Sequence, residues 1–514
     1  MARILPLIPL ILWLAFAGRA PESVTTSAGG IAERTVTVAV TPTGIEPIVM
    51  LAGTACIVLV MVIWSRMVVR SQSEDPGRVT TRFQQAMLLA RIGIVAWFGY
   101  ALYNLGFGEW VESVLRPIAH LHVRLPGAIL GTLPAMLGLT ALWLAAYPVD
   151  QTTREHNVFT YLNDGIPVHA QPTLGQYVSN QFRLQILFTI APLVPALLIR
   201  DIVAAGCSVA GMQLTELWEG TLWAVTIGAT FVLAPVLLKW ILRAHSLPDS
   251  PLRYRLLNLS KQLGVRCKDI LLWPTGYTQG NAAVMGIVPQ FRYVLLTDLL
   301  VETLDERQIE AVFAHEAGHV RHRHMIWYVV FVAVFMLTLI GPVSSLQAVL
   351  EDAGAGKSVP LDLVVGLGSV AAALVIFGML SRLFERQADL FAARSMELTS
   401  VNGAAHSPLE IAVGPNGAAT FIGALRRVAE INHMPADHMP RRRAGLGSPM
   451  ALLLETAQNF QHPKIPDRID HVMQVSLVPD STTHFDRRVM IVTITLLTLA
   501  ALMGAWVAVT MMRG

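Results

Sequence analysis

Eight charge-free stretches dominate the chain: residues 47–65, 92–108, 125–149, 184–199, 220–238, 325–350, 363–381 and 489–512. Crossing about 30 Å of hydrocarbon takes a helix of about 20 apolar residues, with about 17 as the lower limit. Seven of the stretches reach that range. The run 184–199 is shorter and becomes a span if Arg200 snorkels to the interface. Pro192, Pro195 and Pro235 inside these runs predict kinked helices braced by their neighbours. Another apolar run, 4–18, follows Arg3 and precedes Gly18-Arg19-Ala20. It reads either as a signal peptide over residues 1–20 or as a first, uncleaved span, and both readings place 21–46 outside.

Between the apolar runs, 244–324 and 382–488 are polar enough to fold outside the bilayer, with the hairpin 325–381 interrupting them. Residues 268–273 and 293–299 read as short strands. Thr303 to Glu306 reads as a capping box that opens a helix burying Ile309, Val312 and Phe313. A further helix is expected over 418–430, inside an otherwise mobile 397–450 segment. The domains expected are an N-terminal transmembrane domain over 47–243 (five spans), a catalytic domain over 244–488 and a last span over 489–514.

Composition agrees. The 514 residues are 54% hydrophobic and 14% charged, against about 25% charged in ordinary soluble domains. That excludes a soluble enzyme and a disordered chain. With 38 Lys+Arg against 35 Asp+Glu, the charge is also too balanced for a nucleic-acid partner. Cys56, Cys207 and Cys267 lie too far apart for a disulfide framework or a paired-cysteine metal site. Arginine is concentrated in 66–82, 150–183, 239–324 and 382–488, whereas 201–219 holds Asp201, Glu216 and Glu219 and no Lys or Arg. The positive-inside bias therefore puts the two polar segments on the cytoplasmic face.

The chemistry sits at His315-Glu316-Ala317-Gly318-His319, an H-E-x-x-H pattern on an expected helix. Spacing of i, i+4 aims both imidazoles from one face at one Zn²⁺, and Glu316 is placed to take a proton from a water bound there. A catalytic zinc needs a third protein ligand. Glu385 supplies it, because His319 precedes the 325–381 hairpin, Glu385 follows it, and an antiparallel hairpin returns both to one membrane face. Asp389, one turn beyond, can reach a ligand histidine's outer N–H and fix its tautomer. His322 and His324 follow at a basic membrane edge, as an extension of the metal site or as interface histidines.

These motifs resemble the membrane zinc metallopeptidases that include HtpX and the type-I CAAX prenyl endopeptidases. The resemblance covers about 244–475 and rests on four motifs in the family's order. They are Gly280-Asn281-Ala282-Ala283, residues 314–319, the E-x-x-x-D pair Glu385 and Asp389 with Ala388 between them, and His462-Pro463 followed by Arg468-Ile469. It implies one Zn²⁺ per chain held by His315, His319 and Glu385, with Glu316 as general base and then acid. It also implies that His462 and Arg468 steady the oxyanion, and that the strand at Asn281 pairs with an extended substrate. Residues 1–240 align with neither group.

The expected molecule is mainly α, a multi-pass membrane protein of about eight spans with a zincin-like α+β catalytic domain on the cytoplasmic face. Its expected function is zinc-dependent endoproteolysis in membrane-protein quality control or processing, with a protein or peptide substrate, the lipid bilayer as partner and no nucleic acid. A bacterial inner membrane fits the resemblance. Two alternatives are a sensor-transducer metallopeptidase, which would end in a large external domain, and a non-catalytic scaffold. An intramembrane protease would bury its H-E-x-x-H in an apolar run, whereas here Glu302, Asp305, Glu306, Arg307, Arg321 and Arg323 surround it. Oligomeric state and substrate identity are not legible.

Overall fold

The long charge-free runs become long helices. The computed structural model describes residues 5–17, 24–25, 35–36, 42–71, 76–163, 168–212, 215–338, 359–400, 407–409, 411–432, 434–436, 463–478 and 481–513. It divides into two compact units, Met1–Arg243 and Ala244–Gly514.

The first unit contains α1 (Leu7–Phe16), β1 (Val24–Thr25), β2 (Thr35–Val36), α2 (Glu46–Ser71), α3 (Pro76–Asn104), α4 (Phe107–Leu115) and α5 (Leu125–Asn163). It continues with α6 (Leu174–Gln181), α7 (Phe188–Ile190), α8 (Val194–Val209) and α9 (Glu216–Ile241). Phe98, Phe107, Leu142 and Trp143 form its buried centre. The apolar run at the start of the chain supplies α1, whose 10 residues make a rod of about 15 Å, too short to cross a bilayer. Its Trp13 fills the space over Gly131 of α5, where an added Cβ would stand 2.3 Å from the ring.

Arg200, expected to snorkel outward, is buried at 4% exposure. It has local partners that make exposure unnecessary: Asp201 Oδ1 at 3.2 Å and Glu219 Oε1 at 3.0 Å. Asp201 in turn accepts from the backbone N–H groups of Arg124 and Leu125, closing the N-terminus of α5. Asp201 and Glu219 of the acidic 201–219 segment are thus built into the bundle as paired charges.

The second unit contains β3 (His245–Ser246), α10 (Pro251–Gln262), β4 (Asp269–Trp273), β5 (Ala282–Met285), β6 (Tyr293–Thr297), α11 (Asp298–Thr303) and α12 (Glu306–Arg321). After them come α13 (His324–Thr338), α14 (Val359–Ser400), α15 (Pro415–Ile431), α16 (Ile465–Leu477) and α17 (Ser481–Arg513). The sheet order is β3-β4-β6-β5, with β4 and β6 parallel and both outer strands antiparallel to their neighbours. The strand expected over 293–299 ends at Thr297, because Asp298 turns its carboxylate to Thr275 Oγ1 and the N–H groups of Gly276 and Tyr277. The expected capping box shifts as well. Thr303 is still inside α11, its hydroxyl bonded to Leu299 O, and Asp305 caps α12 in reciprocal bonds with Gln308.

The molecule is a multi-pass membrane protein. Among the described residues five helices are long and apolar enough to cross a bilayer: Glu46–Arg70, Phe83–Asn104, Leu125–Glu155, Trp218–Ile241 and His484–Trp506. The pair Leu174–Ile190 and Val194–Val209, bent by 45° around the expected prolines, makes a sixth if it is one span. Of the expected 325–350 run, the part from 339 on lies outside the described residues, and 363–381 falls within α14.

α15 approaches α14 closely at Gly417. Its N–H donates to Glu397 Oε2 at 2.5 Å, so a carboxylate sits on the N-terminal end of α15. A Cβ on Gly417 would stand 2.1 Å from Ala393 O, a backbone atom that cannot swing away, whereas one on Gly423 meets nothing within 4 Å. Gly417→Ala should therefore cost about 1–3 kcal/mol by overpacking. Gly423→Ala should be neutral or stabilising by up to about 1 kcal/mol through helix propensity. Unfolding of the two variants in detergent micelles separates these outcomes.

Candidate metal centre

α12 runs between β5 and the helices α14 and α15, and its apolar residues Ile309, Phe313, Ala314 and Ala317 are buried there. Gly318 makes the close approach to α14, since a Cβ there would lie 3.1 Å from Ala388 Cα. This contact brings His315 and His319 against Glu385. Their Nε2 atoms are 3.3 Å apart, and Glu385 places Oε2 3.6 Å from His315 Nε2 and Oε1 3.5 Å from His319 Nε2. The side chain of Glu385 is 5% exposed, and those of His315 and His319 are 11% and 13% exposed.

The donor set fits a tetrahedral zinc. Ligand arms of about 2.0–2.1 Å imply tetrahedral edges of about 3.3–3.4 Å, close to the separation of the two Nε2 atoms, while Glu385 turns a different oxygen to each histidine. Two imidazole nitrogens and a carboxylate oxygen are also the donor types that leave a fourth, open position in catalytic sites. All three ligand atoms lie within 4.8 Å of one another. Glu316 is half-buried beside them, and its charge bears on Arg468.

A second ring holds His315. Its Nδ1 lies 3.0 Å from Asp389 Oδ1. Arg468, on α16, donates to the same carboxylate through Nε at 2.9 Å and Nη2 at 2.5 Å. Asp389 is wholly buried. Burial alone would raise its pKa, but the Arg468 guanidinium and His315 hold it below the usual carboxylate range. Burial pushes His315 down, yet the hydrogen bond to Asp389 and the charges of Asp389 and Glu385 outweigh it and leave the ring above its ordinary value. On the far side of His319 stands the ring of His324, and burial, then His315, hold His319 well below its ordinary value.

The other expected residues divide. Arg468, expected at the oxyanion, has two nitrogens on Asp389 and its Nη1 3.9 Å from Glu385 Oε2. Asn281 is exposed at the start of β5, its Oδ1 accepting from Ala282 N and its N–H donating to Thr297 Oγ1. His462 lies outside the described residues. Sequence reasoning missed Asn432, whose side-chain amide brackets Gly280 N and O at 3.0 and 2.7 Å and so ties the start of β5 to the end of α15. It also missed Phe421, stacked on His315 with ring centroids 6.0 Å apart.

Removing one partner of a buried ion pair leaves an uncompensated charge, at a cost of about 3–5 kcal/mol. Asp389→Asn and Arg468→Met should each destabilise the metal-free second unit by that order. The double variant should cost clearly less than the sum. A double-mutant cycle on denaturant unfolding measures the coupling.

Residues 258–476 match the family profile Peptidase family M48. The chain is similar to a protease HtpX homolog of Salinibacter ruber (strain DSM 13855 / M31), at 28% identity over 160 residues. That alignment takes in 31% of this chain and 50% of the relative, so the chain spans about half the length of the curated relative it matches. Among solved structures it is similar to the crystal structure of S. mikatae Ste24p, with 16% identity and a TM-score of 0.43. The superposition covers 84% of this chain and 100% of that one. Residues 258–476 thus match the peptidase family M48 profile, within the region whose motifs resemble the HtpX and CAAX-type membrane metallopeptidases.

Proposed function

We propose that the chain is an integral-membrane zinc endopeptidase that binds one Zn²⁺ per chain through His315, His319 and Glu385. The convergence of those three donors within 4.8 Å of one another, with Glu316 on the same helix as the two histidines, is the observation that supports this reading most directly. A zinc ion bound there supplies a Lewis acid that polarises the scissile carbonyl and lowers the pKa of a water towards about 7. Glu316 takes the water's proton and returns it to the departing amine nitrogen, a transfer suited to a carboxylate that is only half-buried. Asp389 keeps the His315 proton on Nδ1, leaving Nε2 free to ligate. Arg468 holds Asp389 and faces Glu385, and His462 steadies the charge developing on the carbonyl oxygen.

An extended substrate would pair with the outer edge of β5, whose one strand partner among the described residues is β6. Asn281, at the entrance to that edge, would meet the substrate backbone. The arginine-rich segments support a site at the cytoplasmic face, and the resemblance to HtpX supports a bacterial inner membrane and a role in quality control or processing of membrane proteins.

Cleavage of unfolded casein by the detergent-purified protein tests the proposal. Activity should require zinc, vanish with chelator and return on metal addition. Glu316→Gln should bind zinc normally while losing turnover by at least about 100-fold, in line with loss of a general base. His462→Ala should lower turnover with zinc still bound, and metal loss in that variant would contradict the role assigned to it. A chain that binds no zinc and cleaves nothing is a scaffold, and the enzyme reading fails.

A further inference from the structure

His319 has an outer partner of its own. Its Nδ1 stands 2.9 Å from Nδ1 of His324, and His324 Nε2 stands 2.9 Å from Gln387 Oε1. His324 is 1% exposed and lies face to face on Phe384, with centroids 4.3 Å apart and planes at 5°. Gln387 is buried too, at 7% exposure, on the same helix as Glu385.

Proton counting along this row leaves one arrangement compatible with metal binding. Two neutral imidazole nitrogens within hydrogen-bond distance share a single proton. His319 can ligate only through a bare Nε2, so its proton sits on Nδ1 and is donated to His324 Nδ1. The proton of His324 is then on Nε2, where the Gln387 carbonyl oxygen accepts it. Reversing the Gln387 amide would reverse the whole row. An N–H aimed at His324 Nε2 moves that ring's proton to Nδ1, strips His319 Nδ1 and puts its proton on the nitrogen the metal needs.

The backbone supports the same conclusion. Arg323, between α12 and α13, adopts φ of 58°, the left-handed region that a side-chain-bearing residue enters at a cost of about 1–2 kcal/mol. That reversal folds His324 back beneath His319, five positions behind it and off the face that a continued helix would present. Strain of this kind persists where the surrounding structure holds it.

We infer that His324 and Gln387 are positioning residues that lock His319 in its Nδ1–H tautomer, an uncharged counterpart to the Asp389–Arg468 pair behind His315. The inference rests on the zinc reading above and concerns which residues keep the second histidine ready to ligate. Outer partners of metal-bound histidines typically contribute about 10- to 100-fold in metal affinity.

The test uses the full-length protein in detergent. Zinc affinity is measured by competition with a chromophoric chelator, the cobalt(II)-substituted site by its ligand-field absorption, and the fold by thermal unfolding of the metal-free protein. His324→Phe keeps a flat ring on Phe384 and removes the acceptor. It should weaken zinc binding about 10- to 100-fold, alter the cobalt spectrum and leave the stoichiometry at saturation unchanged. His324→Asn, whose amide oxygen can replace Nδ1 as acceptor, should recover most of the affinity. Gln387→Met should weaken binding in the same direction.

Zinc affinity and cobalt spectrum unchanged from wild type in His324→Phe would overturn the inference. If that variant does not fold, Gln387→Met decides, and unchanged affinity there overturns it equally. A wild-type chain that binds no zinc would bring down the zinc reading itself, an outcome seen before any variant is compared.

Discussion

The carboxylate of Asp389 is the interaction on which the rest of the catalytic unit depends. It belongs to α14, accepts the Nδ1 proton of His315 on α12, and receives two hydrogen bonds from Arg468 on α16. Three helices therefore meet at one charged group that water does not reach. Withdrawing such a group from solvent costs several kcal/mol, and the cost is offset only when its lone pairs are met with good geometry. Folding the unit and orienting the first metal histidine are thus the same event. The hydrophobic contacts around it, Gly318 against Ala388 and Phe421 against His315, bring the helices close enough for those bonds to form.

The two histidines reach comparable positions by different means. His315 leans on a full negative charge that is balanced by a guanidinium, and His319 leans on a neutral ring and an amide. The first arrangement makes a ring more basic and the second leaves it unassisted, which agrees with their opposite pKa directions.

Much of this was legible in the sequence, for definite reasons. Helical periodicity alone brings His315 and His319 together, an antiparallel hairpin returns Glu385 to them, and one further turn supplies Asp389. The two short apolar strands, and the helix expected over 418–430 and found at Pro415–Ile431, also followed from pattern. What pattern does not encode is direction after a turn. The left-handed residue at Arg323 redirects His324 inward, and no spacing rule announces it. Local competition explains the other differences. Asp298 ends β6 early, Leu304 leaves helical geometry so that the cap falls on Asp305 and not Thr303, and Arg200 finds Asp201 and Glu219 nearer than the interface.

One feature of α14 reaches beyond the site's chemistry. At 42 residues it is an unbroken rod of about 63 Å, apolar in its first half and carrying Glu385, Gln387, Asp389 and Arg394 further on. Glu385, the outer partner of His315 and the residue that holds His324 are therefore spaced along a single lever. A tilt of that lever would carry those groups as one body and alter their stagger against α12 more than their spacing among themselves.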